Sequence, residues 1–101
     1  MVHAGVYAET LHYLKAVAAL KSADDGKAVV AQMKALPTDD TLFGKGYIRA
    51  DGRKIHPAYL FQVKKPEESK YPGDVYTVRA TIPAEEAFRP LKDGNCPMVT
   101  N

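Results

Sequence analysis

The side chains of this sequence that could bind a metal ion are its three histidines, His3, His12 and His56. Protein metal sites combine histidines at short, regular spacings with cysteines or carboxylates that complete the ligand set. The intervals between these histidines match no such arrangement, and no cysteine or acidic residue completes a set. The sequence therefore predicts no metal site, and we expect His12 to face solvent on the polar side of a helix.

Four pairs of adjacent acidic residues could supply carboxylates for general acid–base catalysis: Asp24-Asp25, Asp39-Asp40, Glu67-Glu68 and Glu85-Glu86. A catalytic pair needs two different environments that push its pKa values apart. Each of these pairs lies in a predicted loop or at the start of a predicted helix, where helix capping and solubility account for it. We therefore predict no catalytic residue, no cofactor and no enzyme activity.

Cys96, the single cysteine, would need a neighbouring base and an electropositive setting to act as a nucleophile. It lies next to Pro97 in a turn-rich tail, which predicts an exposed thiol. The sequence contains no second cysteine, so a disulfide could form only with another chain or lobe.

The charge balance argues against nucleic acid as a partner. Fourteen lysines and arginines and twelve acidic residues leave a net charge of +2 on 101 residues, without the strong basic excess of nucleic-acid-binding domains. The hairpin segment 64–79 combines basic and aromatic residues, but Glu67, Glu68 and Asp74 offset its charge. The longest weakly polar stretch, 16–20, is far shorter than the roughly 20 residues that span a bilayer. We predict neither nucleic-acid binding nor a membrane span.

Two helices are predicted in the first third of the chain. Apolar residues recur at three- and four-residue steps over roughly 5–21, which is typical of an amphipathic helix. Segment 22–25 breaks this helix and supplies oxygens that cap the next one. Pro37 ends the second helix, because proline disfavours helix for the residue before it. The short connection predicts a helical hairpin over 5–36.

The remainder of the chain predicts a small sheet. Alternating patterns indicate strands at 47–50, 58–65 and 75–82, with 38–41 as a polar loop and 66–74 as a long hairpin loop. The prediction is therefore a single partial α+β domain over 1–101. It consists of the two-helix hairpin (5–36), a three-stranded antiparallel meander (47–82) and a tail (83–101).

An ordered series of segments carries a resemblance to a known family. The segments are 4–7 (AGVY), 11–17 (LHYLKAV), 29–37 (VVAQMKALP), 48–53 (IRADGR), 59–64 (YLFQVK), 80–83 (ATIP) and 87–91 (AFRPL). Together they resemble the C-terminal end of the periplasmic solute-binding proteins of branched-chain amino-acid-type ABC transporters, the type I, leucine/isoleucine/valine-binding-protein-like receptors. The resemblance covers essentially the whole chain.

The resemblance implies a fold and a function. Such receptors have two α/β lobes joined by a hinge, bind an amino acid or a small carboxylic or aromatic acid between the lobes, and pass it to a membrane permease. This chain matches part of the C-terminal lobe, so we expect a fragment or truncated form that does not bind ligand alone. The family implies a periplasmic location. The sequence as given has no signal peptide pattern, which predicts a cytoplasmic chain if it is expressed as given.

The resemblance also implies a candidate ligand-binding segment at the entry to the first helix: His3, Ala4, Gly5 and Tyr7. In these receptors the residues before this helix lie near the interlobe cleft. A helix N-terminus offers free amides and partial positive charge to a carboxylate. The alternative interpretation is structural, with Tyr7 packed under the helix and His3 at a frayed end.

A second hypothesis is a free-standing α+β interaction module. Under either hypothesis, apolar faces without neighbours and open strand edges predict a homodimer. These faces comprise Leu11, Leu14, Val17, Val29, Val30 and Met33 on the helices, and Tyr59, Phe61, Val63, Val78 and Ile82 on the strands.

Overall fold

The structure is a computed structural model and describes residues 2–97 and 99 of the chain. Its elements, in chain order, are α1 (Val2–Leu20), α2 (Gly26–Ala35), β1 (Thr38–Asp40), β2 (Gly44–Ile48), β3 (Lys54–Ile55), β4 (Ala58–Val63), β5 (Tyr76–Ile82) and α3 (Ala84–Ala87). Short 3-10 turns occur at Pro66–Glu68 and Leu91–Gly94. The predicted α+β class and the helical hairpin are confirmed.

Helix α2 begins and ends for the reasons that the sequence indicates. Asp25 is its N-cap: the Oδ1 atom accepts hydrogen bonds from the backbone amides of Lys27 and Ala28 at 2.9 and 3.2 Å. These bonds satisfy two donors that a helix N-terminus otherwise leaves free. At the other end, Leu36 is extended, as expected for the residue before Pro37.

Helix α1 packs against α2 through its smaller side chains. The buried residues of α1 are Ala8, His12 and Ala16, which recur every fourth residue and therefore share one face. Val29 is the buried residue of α2. The larger apolar side chains of α1 lie elsewhere: Tyr7 is 58% exposed and Leu14 is 54% exposed. The predicted apolar stripe of α1 is therefore not the face that contacts α2.

The prediction that His12 faces solvent is wrong. His12 is only 6% exposed, and its Nε2 atom lies 2.8 Å from the backbone carbonyl oxygen of Met33 in α2. The imidazole fits between the helices because its neighbours on the buried face are alanines. It thus links α1 to the last turn of α2, where helix carbonyls lack partners within the helix.

Strands β1, β2 and β3 form an antiparallel sheet in that order, and β2 packs against α2. The turn between β1 and β2 is built on Asp40, whose Oδ1 accepts hydrogen bonds from the amides of Leu42 and Phe43 at 2.9 and 2.8 Å. The sequence predicts a polar loop at 38–41, and this is wrong for 38–40, which pair with β2 as β1.

Strands β4 and β5 form a separate antiparallel hairpin, with Ala58 opposite Ile82 and Val63 opposite Tyr76. An ion pair of 2.6 Å between Lys64 Nζ and Asp74 Oδ1 closes the base of the long loop. The prediction places this pair of strands correctly. It places the strand at 47–50 in the same sheet, whereas the structure puts β2 in a sheet with β1 and β3.

The chain is elongated and buries little apolar surface. Its radius of gyration is 16.8 Å, with extents of 52 × 34 × 18 Å, whereas a compact chain of this length has about 13 Å. Among the described residues, β4 and β5 pack chiefly on each other. The buried hydrophobic residues are Ala8, Ala16, Val29 and Ile55. The described part of the chain therefore has a core that is small for its length.

Gly46 provides a test of the sheet. A Cβ atom at this position would collide with the carbonyl oxygen of Ile55 and lie 2.9 Å from Thr38 Oγ1. Gly46→Ala should therefore destabilise the chain by about 1–3 kcal/mol, the usual range for overpacking. Gly5→Ala, in open space within α1, should instead stabilise it by up to about 1 kcal/mol. Urea unfolding followed by circular dichroism measures both. Equal midpoints for the two variants would contradict the β2–β3 packing.

Candidate ligand-binding site

A cleft with a volume of about 600 Å³ lies between α1, α2, the β1–β2–β3 sheet and Phe88. Such a volume falls within the range of roughly 300–1,000 Å³ that small-molecule sites occupy. Its α1 wall includes Gly5, Ala8 and Glu9. Several lining side chains, among them Val30 of α2, are exposed, so the cleft is open to solvent.

One wall of the cleft is aromatic. The ring of His56 lies 4.6 Å from that of Phe43 and 5.4 Å from that of Phe88, measured between centroids, and the contact with Phe88 is edge-to-face. The His56 Nδ1 atom lies 2.8 Å from the carbonyl oxygen of Pro57, which fixes the orientation of the ring. The three rings form a surface against which a flat or branched apolar group can pack.

Two cations lie over this aromatic wall. Lys54 Nζ is 4.6 Å from the centroid of Phe43, and the guanidinium carbon of Arg53 is 5.9 Å from that of Phe88. Lys54 also forms an ion pair of 2.7 Å with Asp40 Oδ2. Burial raises the pKa of Asp40, but hydrogen bonds from Lys54 and the Phe43 and Leu42 amides outweigh it, so its pKa is lowered. Arg53 is therefore the cation more available to a ligand.

The hydroxyl of Thr38 is a polar group of the cleft without a partner. Thr38 is 3% exposed, and its Oγ1 atom finds no hydrogen-bond partner among the described residues. A buried hydroxyl without a hydrogen bond costs about 1–3 kcal/mol. Thr38 borders the cleft, but its hydroxyl has almost no surface open to the cleft, so the missing hydrogen bond is a local cost to folding and does not mark a ligand contact.

The turn that carries Arg53 is held by Arg49 and Asp51. The Arg49 guanidinium donates to both carboxylate oxygens of Asp51, at 3.0 and 2.7 Å, and its Nη1 atom donates to the carbonyl oxygen of Arg89 at 2.8 Å. The amide of Arg53 donates to Asp51 Oδ1 at 3.2 Å. These bonds connect the β2–β3 turn to the segment that contains Phe88. They therefore help to place the two ends of the aromatic wall.

The predicted site residues do not come together in the structure. Gly5 lines the cleft. His3 and Ala4 belong to the first turn of α1, and His3 is exposed. Tyr7 lies away from the cleft, beside a smaller groove on α1, and is too exposed to be packed under the helix. Cys96 is exposed after the 3-10 turn Leu91–Gly94, as predicted.

Apart from Gly5, the residues that line the cleft carry no sequence pattern that marks them as a site. Phe43, His56 and Phe88 lie on three separate segments of the chain, so no short motif connects them. Their one common signal is that each stands near a glycine or proline that interrupts a regular pattern. That signal indicates turns in general and does not reveal which turns meet in space.

The lining has groups for binding and orienting a small molecule. It combines aromatic rings, a guanidinium group and the carboxylate of Glu9. Within residues 2–97 and 99, no group of three or more His, Cys, Asp and Glu side chains could hold a metal ion. Over the same residues, no helix has the length and apolar character needed to cross a membrane.

Comparisons with known proteins define the class. The family model described as periplasmic binding protein matches residues 1–70, which is more than half of the chain. This chain therefore belongs to the periplasmic binding protein family. No curated protein matches it.

Two solved structures extend the comparison. A periplasmic binding protein from Burkholderia mallei is 48% identical over 93% of this chain, with a TM-score of 0.83. A branched-chain amino acid ABC transporter periplasmic ligand-binding protein from Burkholderia xenovorans LB400 is 42% identical over 91% of it, with a TM-score of 0.82. The chain spans 24% of the length of each. Both relatives are thus periplasmic binding proteins, and the second is of the branched-chain amino acid ABC transporter type, as the resemblance implies.

Acid should weaken the turn that carries Arg53. The hydrogen bond from Arg49 lowers the pKa of Asp51 from 3.8 to about 2. A carboxylate with a lowered pKa favours the folded state above its unfolded pKa, and this contribution is lost as pH falls through the folded pKa. The free energy of unfolding should therefore decrease between about pH 4 and pH 2, and less so in Asp51→Asn.

Urea unfolding at a series of pH values measures this dependence. Asp39→Asn is the matched control, because the Asp39 carboxylate makes no hydrogen bond or ion pair among the described residues. It should retain the pH dependence of the unsubstituted chain. A carboxyl titration of Asp51 near 3.8, followed by NMR, would contradict the role given to Arg49.

Proposed function

We propose that this chain forms one wall of the ligand site in a periplasmic solute-binding protein of an ABC transporter. The ligand is an amino acid or a small carboxylic or aromatic acid, which the complete receptor delivers to a membrane permease. The proposal also includes a periplasmic location, and it includes no catalytic role. Family membership and the branched-chain amino acid transporter relative support it.

The observation that carries the proposal is the open cleft. Its aromatic wall (Phe43, His56 and Phe88) suits an apolar side chain or an aromatic ring. Arg53 suits a carboxylate, since a guanidinium can bind both carboxylate oxygens. Glu9 supplies the charge that would pair with an ammonium group. These are the groups that an amino acid or a small organic acid requires.

The candidate segment at the start of α1 belongs to the same proposal. Gly5 lines the cleft, and His3 and Ala4 lie within one turn of it. Free amides in the first turn of α1 favour a carboxylate at that end of the helix. Tyr7 lies on the outer side of α1, away from the cleft. It would contact the ligand only if another part of the receptor held the ligand against that side of the helix.

The chain alone should not retain such ligands, because an effective pocket buries most of the surface of its ligand and this cleft is open. Isothermal titration calorimetry with leucine, isoleucine, valine and benzoate should detect no micromolar binding to the chain. The Burkholderia xenovorans protein, titrated under the same conditions, is the control for the assay. Micromolar binding to the isolated monomer would contradict this part of the proposal.

The isolated chain should also form a homodimer through the β4–β5 hairpin. One face of the hairpin groups Tyr59, Phe61 and Tyr76, with Phe61 centred 6.1 Å from Tyr59 and 5.7 Å from Tyr76. Phe61 is 48% exposed. Burial of this face against a second copy removes apolar surface from water, a gain of roughly 25 cal/mol per Å².

Sedimentation velocity at micromolar concentration tests this association. The unsubstituted chain should sediment as a dimer, and Phe61→Lys as a monomer, because the substitution places a charge in the aromatic face. Tyr71→Lys, at an exposed position in the loop between the strands, is the matched control and should remain dimeric. A monomeric unsubstituted chain would refute the homodimer.

A further inference from the structure

The outer face of α1 is apolar and lies opposite the face that packs on α2. We define it by Val6, Tyr7, Thr10, Leu14 and Val17. At about 100° per residue, this group is centred roughly 180° from the group Ala8, His12 and Ala16. Helix α1 is thus apolar on two opposite sides. The two charged residues of the helix other than histidine, Glu9 and Lys15, lie between the two faces.

The exposure of the outer face is unusual for a soluble helix. Val6 is 56% exposed, and Tyr7 and Leu14 are exposed to a similar extent. A shallow groove runs along it, lined by Val6, Tyr7, Thr10, Leu11 and Leu14. A surface helix normally has one apolar stripe and a polar opposite face, whereas a helix that is apolar on all sides is buried. The pattern of α1 is that of a helix covered on both sides, and α2 covers one.

The comparisons indicate what covers the other side. The backbone superimposes with a TM-score of 0.83 on a segment of a chain of which it spans 24%. About three quarters of that protein therefore lies outside the matched segment. We propose that the outer face of α1 docks against an apolar surface of this remaining part of a periplasmic binding protein.

This inference rests on the proposed function for its partner, but it concerns a different surface from the cleft. It also differs from the proposed homodimer, which uses the β4–β5 hairpin. The partner surface should be apolar opposite Leu14 and reach solvent opposite Lys15, because a lysine side chain is rarely buried without a partner.

A chimeric receptor tests the docking. In it, this chain replaces the matching segment of the Burkholderia mallei protein, and Cys96→Ser removes the native thiol. Leu14→Cys is then introduced in the chimera and in the isolated chain. The matched control is Lys15→Cys, one position further along the same helix. The rate of reaction with a thiol reagent is measured in all four proteins.

The thiol of Leu14→Cys should react readily in the isolated chain and at least about tenfold more slowly in the chimera, since local opening limits access to a buried thiol. The thiol of Lys15→Cys should react at similar rates in both. Circular dichroism and size-exclusion chromatography establish separately that the chimera folds. Equal reactivity of Leu14→Cys in the isolated chain and in a folded chimera would overturn the proposal.

Two further outcomes separate the alternatives. If Leu14→Cys is protected in the isolated chain and becomes reactive on dilution, the face binds a second copy, and the proposed partner is wrong. If Leu14→Cys is protected in a chimera that binds none of the tested ligands, the docking stands and the proposed ligand class fails. Should Leu14→Cys prevent folding of the chimera, Thr10→Cys on the same face replaces it, with the same expected protection.

Discussion

The contact between α1 and α2 is the interaction on which the rest of this structure depends. Ala8 and Ala16 are buried on one face of α1, and His12 between them bonds to the Met33 carbonyl at 2.8 Å. Because the small side chains of α1 face α2, its large apolar side chains must face the opposite way. The same contact brings Ala8 and His12 to the wall of the cleft. The cleft and the exposed face are thus two consequences of one choice of helix orientation.

Polar interactions position the rest of the cleft. Asp40 shapes the β1–β2 turn and pairs with Lys54, and the Arg49–Asp51 pair holds the following turn. The bond from Arg49 to the carbonyl of Arg89 then spans forty positions of sequence. None of these hydrogen bonds and ion pairs requires a large apolar core. A chain that buries so few hydrophobic residues can therefore still order one aromatic wall, formed by residues that belong to distant segments.

Local patterns predicted most elements, and the failures have physical causes. Asp25 and Pro37 fix the ends of α2, and strict alternation reveals β4 and β5, because these signals lie within a few residues. Strands as short as β1 and β3 carry no such alternation and depend on pairing with β2. The burial of His12 is not predictable from periodicity, because α1 is apolar on two sides. Periodicity reveals an apolar stripe but does not show which side of the helix packs against α2. Phe43, His56 and Phe88 meet only through tertiary contacts.

The chain has the backbone conformation of its relatives but buries little apolar surface, and its membership of a family of longer proteins explains this difference. Caps, turns and the Lys64–Asp74 pair specify the backbone from within the segment, which agrees with its superposition on relatives four times as long. Interactions within the segment cannot bury its remaining apolar surface in the same way, because burial requires a second apolar surface of matching area. The helices and hairpins of this segment are therefore encoded in its own sequence. On our proposals, the stability of α1, the closure of the cleft and the affinity for a ligand depend on surfaces outside the described residues.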